Sequence, residues 1–318
     1  MQPLAGRLVV DFTRQLPGPY ASRELLRLGA RVVCVEPPEG DPVRHVVPAW
    51  HEALNAGKES VVWDAAEGPA FAQALCNRAD VILDGFRPGV FERLGLSVPE
   101  AAVYCAITGF GAQGRHAQRV GHDLNYMGWA GALADTAPAV PPVQAADLAA
   151  GALSAVVEIL AALLERERTG RGARLVGSMT HGSHRLVAHR LGGEPIAKLL
   201  TGGVPCYQVY ETADGRYLTV GALEPKFWRR LCELIDRDDL VPRQLDATAI
   251  EDVAEVVALR TLAEWLELFD DEDVCVGPVA TIEEAAAEFG HYPSCNVSQG
   301  TTAELGEHTD AWRRELGL

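Results

Sequence analysis

Gly121-His122-Asp123-Leu124-Asn125-Tyr126 sets an imidazole, a carboxylate, an amide and a phenol in five consecutive positions. A carboxylate beside a histidine fixes its tautomer and raises its basicity, so His122 with Asp123 could form an oriented general base. A surface-loop histidine is the plain structural alternative. Asp147 lies between Ala145-Ala146 and Leu148-Ala149-Ala150-Gly151, at the head of an apolar stretch. That position suits a helix cap that accepts from orphan amides. It also suits an acid/base group, because burial raises a carboxyl pKa. The two roles are compatible. Glu224 precedes Pro225, where a cap or a surface group is the ordinary occupant. Asp84-Gly85-Phe86-Arg87-Pro88-Gly89 is a Gly/Pro-framed turn. Arg87, with Arg93 a helical turn later, is a candidate anion contact or a solvated arginine. The chain contains no Walker motif and no serine-hydrolase elbow.

The elements that must position these groups alternate. Leu8–Phe12, Arg31–Val35, Ser60–Trp63, Asp80–Leu83 and Val103–Ile107 are short apolar runs that predict buried strands. Helical spacing separates them over 21–28 and 69–78. This alternation predicts a parallel sheet covered on both faces. Ligands of such sheets bind beyond the carboxyl ends of the strands. The turns at 13–19, 36–44, 64–68, 84–89 and 108–114 are therefore where a site is expected. Leu148–Arg168 predicts one long, largely apolar helix. Residues 206–211 and 216–220 alternate like a hairpin around Asp214-Gly215. Helices are predicted over 225–236, 249–258, 260–269 and 281–288, with a short apolar stretch at 274–279. Residues 290–304 carry little signal.

The chain has 318 residues, 28 Lys+Arg against 44 Asp+Glu, and a net charge of −16. That length suits about two domains. The acidity argues against nonspecific nucleic-acid binding and against anionic membranes. No apolar run reads as the ~20 residues of a membrane span, and the first residues lack a signal-peptide pattern. The seven cysteines form no CxxC pair and no Cys/His zinc pattern, which predicts reduced thiols, no metal and a cytoplasmic location. Only three cations are lysines: Lys58, Lys198 and Lys226. Any anion must be met mainly by arginine or backbone amides.

Together the segments resemble the type III CoA-transferase (CaiB/BaiF-like) superfamily, and within it the α-methylacyl-CoA racemases. The superfamily pieces are Asp11-Phe12, Pro17-Gly18-Pro19, the 36–42 turn, Arg87-Pro88-Gly89 and Glu92-Arg93-Leu94-Gly95-Leu96. The racemase-like pieces are GHDLNY at 121–126, AADLAAG at 145–151, GGVPCYQVYETADGRY at 202–217 and GALEPKF at 221–227. Many transferases carry a tyrosine where His122 stands. The formate/oxalate transferases carry a glutamine near the position of Leu16.

The resemblance implies an α/β fold. A Rossmann-like large domain (1–185) would be followed by a linker and small α/β domain (186–290), with 291–318 returning to the large domain in an intertwined homodimer. It implies that His122 and Asp147 are the two acid/base groups, with Asp123 beside them. Glu224 would orient His122 across the dimer interface. Asp64, Gly85, Phe86, Arg87, Arg93, Gly121, Leu124, Asn125 and Tyr126 would line the acyl-CoA site. The implied reaction is inversion at the α-carbon of a 2-methyl-branched acyl-CoA, part of lipid metabolism. One base removes the acidic α-proton and the other returns one to the opposite face of an enolate. Amides at the start of the helix near Asp147 would meet the enolate oxygen. CoA is part of the substrate, and no other cofactor is implied. Two alternatives stay open: a CoA-transferase with Asp147 as acyl-anhydride nucleophile, and a non-catalytic CoA-site relic acting as a binding protein. Racemases usually carry an arginine where Pro37 follows Glu36, and a more basic segment at 55–59. The phosphates are therefore assigned to Arg87, Arg93, Lys58 and backbone amides.

Overall fold

The computed structural model describes residues 1–193, 196, 198–290 and 300–318. Two compact units divide the chain: Met1–His189 with Asn296–Leu318, and Arg190–Cys295. Parts of the expected linker after 186, of the low-signal stretch at 290–304 and of the returning segment 291–318, namely 194, 195, 197 and 291–299, lie outside the described residues.

The larger unit is built on β1 (Leu8–Asp11), β2 (Arg31–Glu36), β3 (Glu59–Val62), β4 (Val81–Asp84), β5 (Val103–Thr108) and β6 (Arg174–Ser178). They form one parallel sheet in the order β3-β2-β1-β4-β5-β6. The expected α/β class is thus observed. Its helices are α1 (Pro17–Arg27), α2 (Val43–Val46), α3 (Pro48–Asn55), α4 (Ala70–Arg78), α5 (Val90–Arg93), α6 (Asp123–Trp129), α7 (Ser154–Thr169), α8 (Met179–Leu186) and the C-terminal Thr309–Leu316.

The strand residues alternate between two apolar layers, as the pleat requires. Val10, Val33, Ile82 and Tyr104 pack with Phe71 and Leu75 of α4 and with Trp312. Val9, Val32, Leu83 and Cys105 pack with Leu25 of α1 and Ile159 of α7. The C-terminal helix is tied to β3, where Trp312 Nε1 donates to Glu59 at 2.6 Å and the His308 amide donates to Ser60 O at 2.9 Å. The strand β6 was not expected. It is an edge strand whose Val176 is exposed, so RLVGS does not read as a buried run.

The predicted long helix exists but starts earlier and is not uniform. Ala146–Leu153 is a π-helix, and α7 continues from it, giving 24 helical residues in all. This corrects the reading that no stretch has the length and apolarity to cross a membrane. One face of it, Ala152, Ala155, Val156, Ile159 and Leu163, is packed into the sheet's apolar layer.

The smaller unit pairs β7 (Tyr207–Glu211), β8 (Tyr217–Gly221) and β9 (Val276–Pro278) in an antiparallel sheet. The expected hairpin turns at Asp214-Gly215. Helices α9 (Pro225–Leu234), α10 (Ala249–Val257), α11 (Leu262–Phe269) and α12 (Ile282–Phe289) follow the predicted spans closely, and the C-terminal Thr309–Leu316 of the larger unit is α13. Trp228 and Trp265 fill this unit's core, and both indoles donate to main-chain carbonyls.

Candidate active site

Strand order reverses between β1 and β4: β2 and β3 lie to one side, β5 and β6 to the other. Such a switch point opens a crevice at the carboxyl ends of the strands. A cavity of about 970 Å³ occupies it, lined by the turns after β1, β4 and β5 and by α6.

Each turn is held by a side chain at or near the end of its strand. Asp11 accepts from the Thr13 amide at 2.8 Å, and Gly18 packs so closely on Thr13 that a Cβ would lie 1.9 Å from Thr13 Oγ1. After β4, buried Asp84 accepts from the Phe86 amide at 2.6 Å and from the Tyr104 hydroxyl. Burial pushes the Asp84 carboxyl up to about 6, against the lowering effect of these two bonds. After β5, Thr108 Oγ1 donates to Gly177 O and accepts from the Gly111 amide.

Residues 121–126 are a helix start rather than a surface loop. His122 is the N-cap of α6, and its amide donates to Asn125 Oδ1 at 3.0 Å. Tyr126 is buried and its hydroxyl donates to Gly121 O. Its ring presses on two glycines, since a Cβ at Gly109 would lie 2.5 Å from Tyr126 Cε1 and one at Gly121 2.9 Å from it. This clamp fixes the His122 backbone against the end of β5. The imidazole is exposed and lines the cavity.

Asp147 sits in the first turn of the π-helix. The Asp147 amide donates to Asp123 Oδ1 at 3.0 Å, so the residue after His122 holds the main chain of Asp147. Burial, and then the nearby Asp123 charge, push the Asp147 carboxyl up to about 7. That value places it between proton donor and acceptor at neutral pH, which is what an acid/base group requires. Irregular π turns recur where helices carry functional residues. The expected donation from this helix start to an enolate oxygen is corrected for Asp147, whose amide is taken by Asp123. The next amide, Leu148 N, donates to Gln144 O.

Of the expected ligand-site residues, Gly85, Phe86, Arg87, Gly121, Asn125 and Tyr126 line the cavity with His122. Asp64, Arg93 and Leu124 do not. Asp64 caps the short turn after β3, accepting from the Ala66 amide. Arg93 lies beside Gly89 on α5. Leu124 is exposed on α6. Glu224 belongs to the smaller unit, exposed at the N-cap of α9.

The expected phosphate role of Lys58 is corrected. Lys58 is buried, and its Nζ donates to Pro19 O, Ser22 Oγ and Asn55 Oδ1 at 2.8–2.9 Å. Desolvation lowers its pKa. It ties the start of α1 to α3. Replacing Lys58 by methionine is expected to cost on the order of 2 kcal/mol, because it strands buried acceptors. Ligand affinity should stay unchanged, and thermal melts beside calorimetry would check both. Cavity residues that sequence reading missed are Arg14, Gln15, Phe110, Arg119 and Trp129. Arg14 and Gln15 fall in a turn already expected to matter, at 13–19.

Asp123 and Asp147 do not line the cavity themselves. A doubly covered parallel sheet with a histidine on its switch-point cavity, and with Asp147 bonded through its amide to that histidine's neighbour, defines an α/β protein equipped for acid/base chemistry. The chain belongs to CoA-transferase family III, whose profile matches residues 4–308. It is 35% identical over 308 residues to the alpha-methylacyl-CoA racemase of Homo sapiens, covering 88% of this chain and 78% of that protein. It is 28% identical over 326 residues to the succinyl-CoA:glutarate CoA-transferase of Mus musculus, covering 91% and 74%. The crystal structure of Rv3272 from M. tuberculosis superimposes with a TM-score of 0.83 at 29% identity, covering 98% of this chain and 99% of that one.

Proposed function

We propose that this protein is an acyl-CoA racemase or epimerase that inverts the α-carbon of a 2-methyl-branched acyl-CoA. The observation that carries this reading is the bond from the Asp147 amide to Asp123, the sequence neighbour of His122, together with an Asp147 carboxyl raised to about 7. A thioester carbonyl acidifies its α-hydrogen, and inversion needs a base on each face of the planar enolate. His122 and Asp147 supply an imidazole and a carboxyl for these two roles, and the carboxyl is raised to about 7. The 35% identity to a racemase supports the same reading. The chemistry needs no group beyond the CoA of the substrate.

The active form proposed is a homodimer in which Glu224 of one copy orients His122 of the other. Leu153, Val157 and Leu164 leave an apolar stripe exposed along the π-helix and α7, suited to a second copy.

The second reading is CoA transfer, supported by the transferase relatives. There Asp147 attacks the thioester carbonyl, CoA leaves as the thiolate, and an acyl anhydride remains. ¹H-NMR of single enantiomers of 2-methylacyl-CoA in D₂O separates the two. The racemase reading expects loss of the α-proton signal together with loss of optical purity. Absence of exchange across a panel of branched acyl-CoAs, with hydroxylamine trapping an acyl group on Asp147, would overturn it in favour of transfer.

A further inference from the structure

The acid/base pair leaves part of the cavity unexplained. Three adjacent strands, β1, β4 and β5, each send one arginine into it from the turn that follows: Arg14, Arg87 and Arg119. All three are exposed, and none forms an ion pair among the described residues. Arg31, Arg44, Arg166 and Arg230, by contrast, are engaged by carboxylates. Acidic groups outnumber basic ones 44 to 28. Three like charges around one concavity, kept clear of that excess of carboxylates, make a local anion field.

One of the three is stacked in place, and the turn that carries a second is held. The Arg119 guanidinium lies 5.2 Å from the centroid of Trp129, whose ring is backed by His116 at 4.6 Å and by Phe110 at 6.5 Å. Stacking uses the face of the guanidinium and leaves its N–H edge free to donate. Arg14 precedes Gln15, a non-glycine residue at φ +70° whose amide donates to Asp41 Oδ2 at 2.8 Å. Strained backbone held by a buried carboxylate is characteristic of binding loops. Two cations near the ends of β2 and β3 are committed elsewhere. Lys58 is buried in its own network, and Arg44 is bidentate on Glu36.

We propose that Arg14 and Arg119, with Arg87, form a three-point site for an anionic group of the bound thioester. That group is either a phosphate of its nucleotide end or a carboxylate at the far end of its acyl chain. The ligand's identity rests on the acyl-CoA reading, whereas the anion site does not.

Titration calorimetry on wild type, R14A, R119A and the control R314A, with folding checked by circular dichroism, tests this. The probes are CoA, inorganic pyrophosphate and a dicarboxylic acyl-pantetheine that lacks phosphates. R14A and R119A should each weaken the anion-bearing probe by about tenfold or more, the usual loss for a charged hydrogen bond. R314A, on the exposed face of α13, should not. Losses on CoA and pyrophosphate assign the phosphates, and losses on the acyl-pantetheine assign the carboxylate. Unchanged affinity for all three probes in both variants overturns the anion site, even where wild type binds CoA and the acyl-CoA reading stands. Wild type that binds pyrophosphate through these arginines but not CoA overturns the acyl-CoA reading alone. Wild type that binds no probe overturns both.

Discussion

Replacing His122 by alanine is expected to abolish inversion of a 2-methylacyl-CoA, with a loss of about 10²–10⁴-fold. The fold should not suffer. The imidazole is exposed, and the bond that fixes residue 122 runs from its main-chain amide to Asn125 Oδ1, which alanine retains. The ring also makes no contact in the Tyr126 clamp, which acts through Gly109 and Gly121. Because two groups serve two faces, the loss should be asymmetric. With His122 gone, Asp147 can still remove a proton from one enantiomer and return deuterium to the same face. That enantiomer should show slow exchange without inversion, and the other no exchange. Unaltered racemisation by the variant, followed by NMR in D₂O and chiral analysis, would remove His122 from the mechanism.

Much of the scaffold was legible because its strands are buried on both faces. LVVD, RVVCVE, VILD and VYCAIT contain little that could face water. Where burial is one-sided, the signal fades. The strand β6 has one neighbour and exposed side chains. Helix α6 buries only Tyr126 and Met127 of its seven residues, so no periodicity marks it. The π-helix was illegible for a different reason. In a segment made of Ala, Leu and Gly around a single Asp, apolar residues occur at every spacing, so the number of residues per turn leaves no trace.

The site divides along the same line. His122 and Asp147 were named by their segments, but the bond from the Asp147 amide to Asp123, the neighbour of His122, spans 24 positions and depends on where α6 meets the π-helix. Arg14 and Arg119 share a cavity only because β1 lies beside β4 and β4 beside β5. Nothing local to either arginine records that. Lys58 shows the reverse error. Its segment suggested an exposed cation, yet the packing of α1 on α3 encloses it.

Asp147→Asn is the complementary experiment, and its consequences extend to pH. The variant should also lose inversion by about 10²–10⁴-fold, but its residual exchange should fall on the enantiomer that the His122 variant cannot use. Residual exchange on the same enantiomer in both variants would exclude a base on each face. In wild type, the carboxyl titrates near 7 instead of near 4 because of burial and the Asp123 charge. The enantiomer deprotonated by Asp147 needs the ionised form, so its kcat/KM should rise with pH through about 7. The opposite enantiomer needs the protonated form as donor, so its kcat/KM should fall over the same range. A carboxyl whose pKa is raised by folding binds more protons in the native state than in the unfolded one. Its burden on stability is therefore absent below about 4, grows as pH rises from 4 to 7, and is complete above 7. An uncharged asparagine removes that burden. The Asp147→Asn variant should accordingly melt higher than wild type at pH 8, with the difference shrinking towards pH 4. A difference in melting temperature independent of pH would show that Asp147 is ionised at neutrality. It would return the carboxylate to the plain helix-capping role that its place in the sequence also allows.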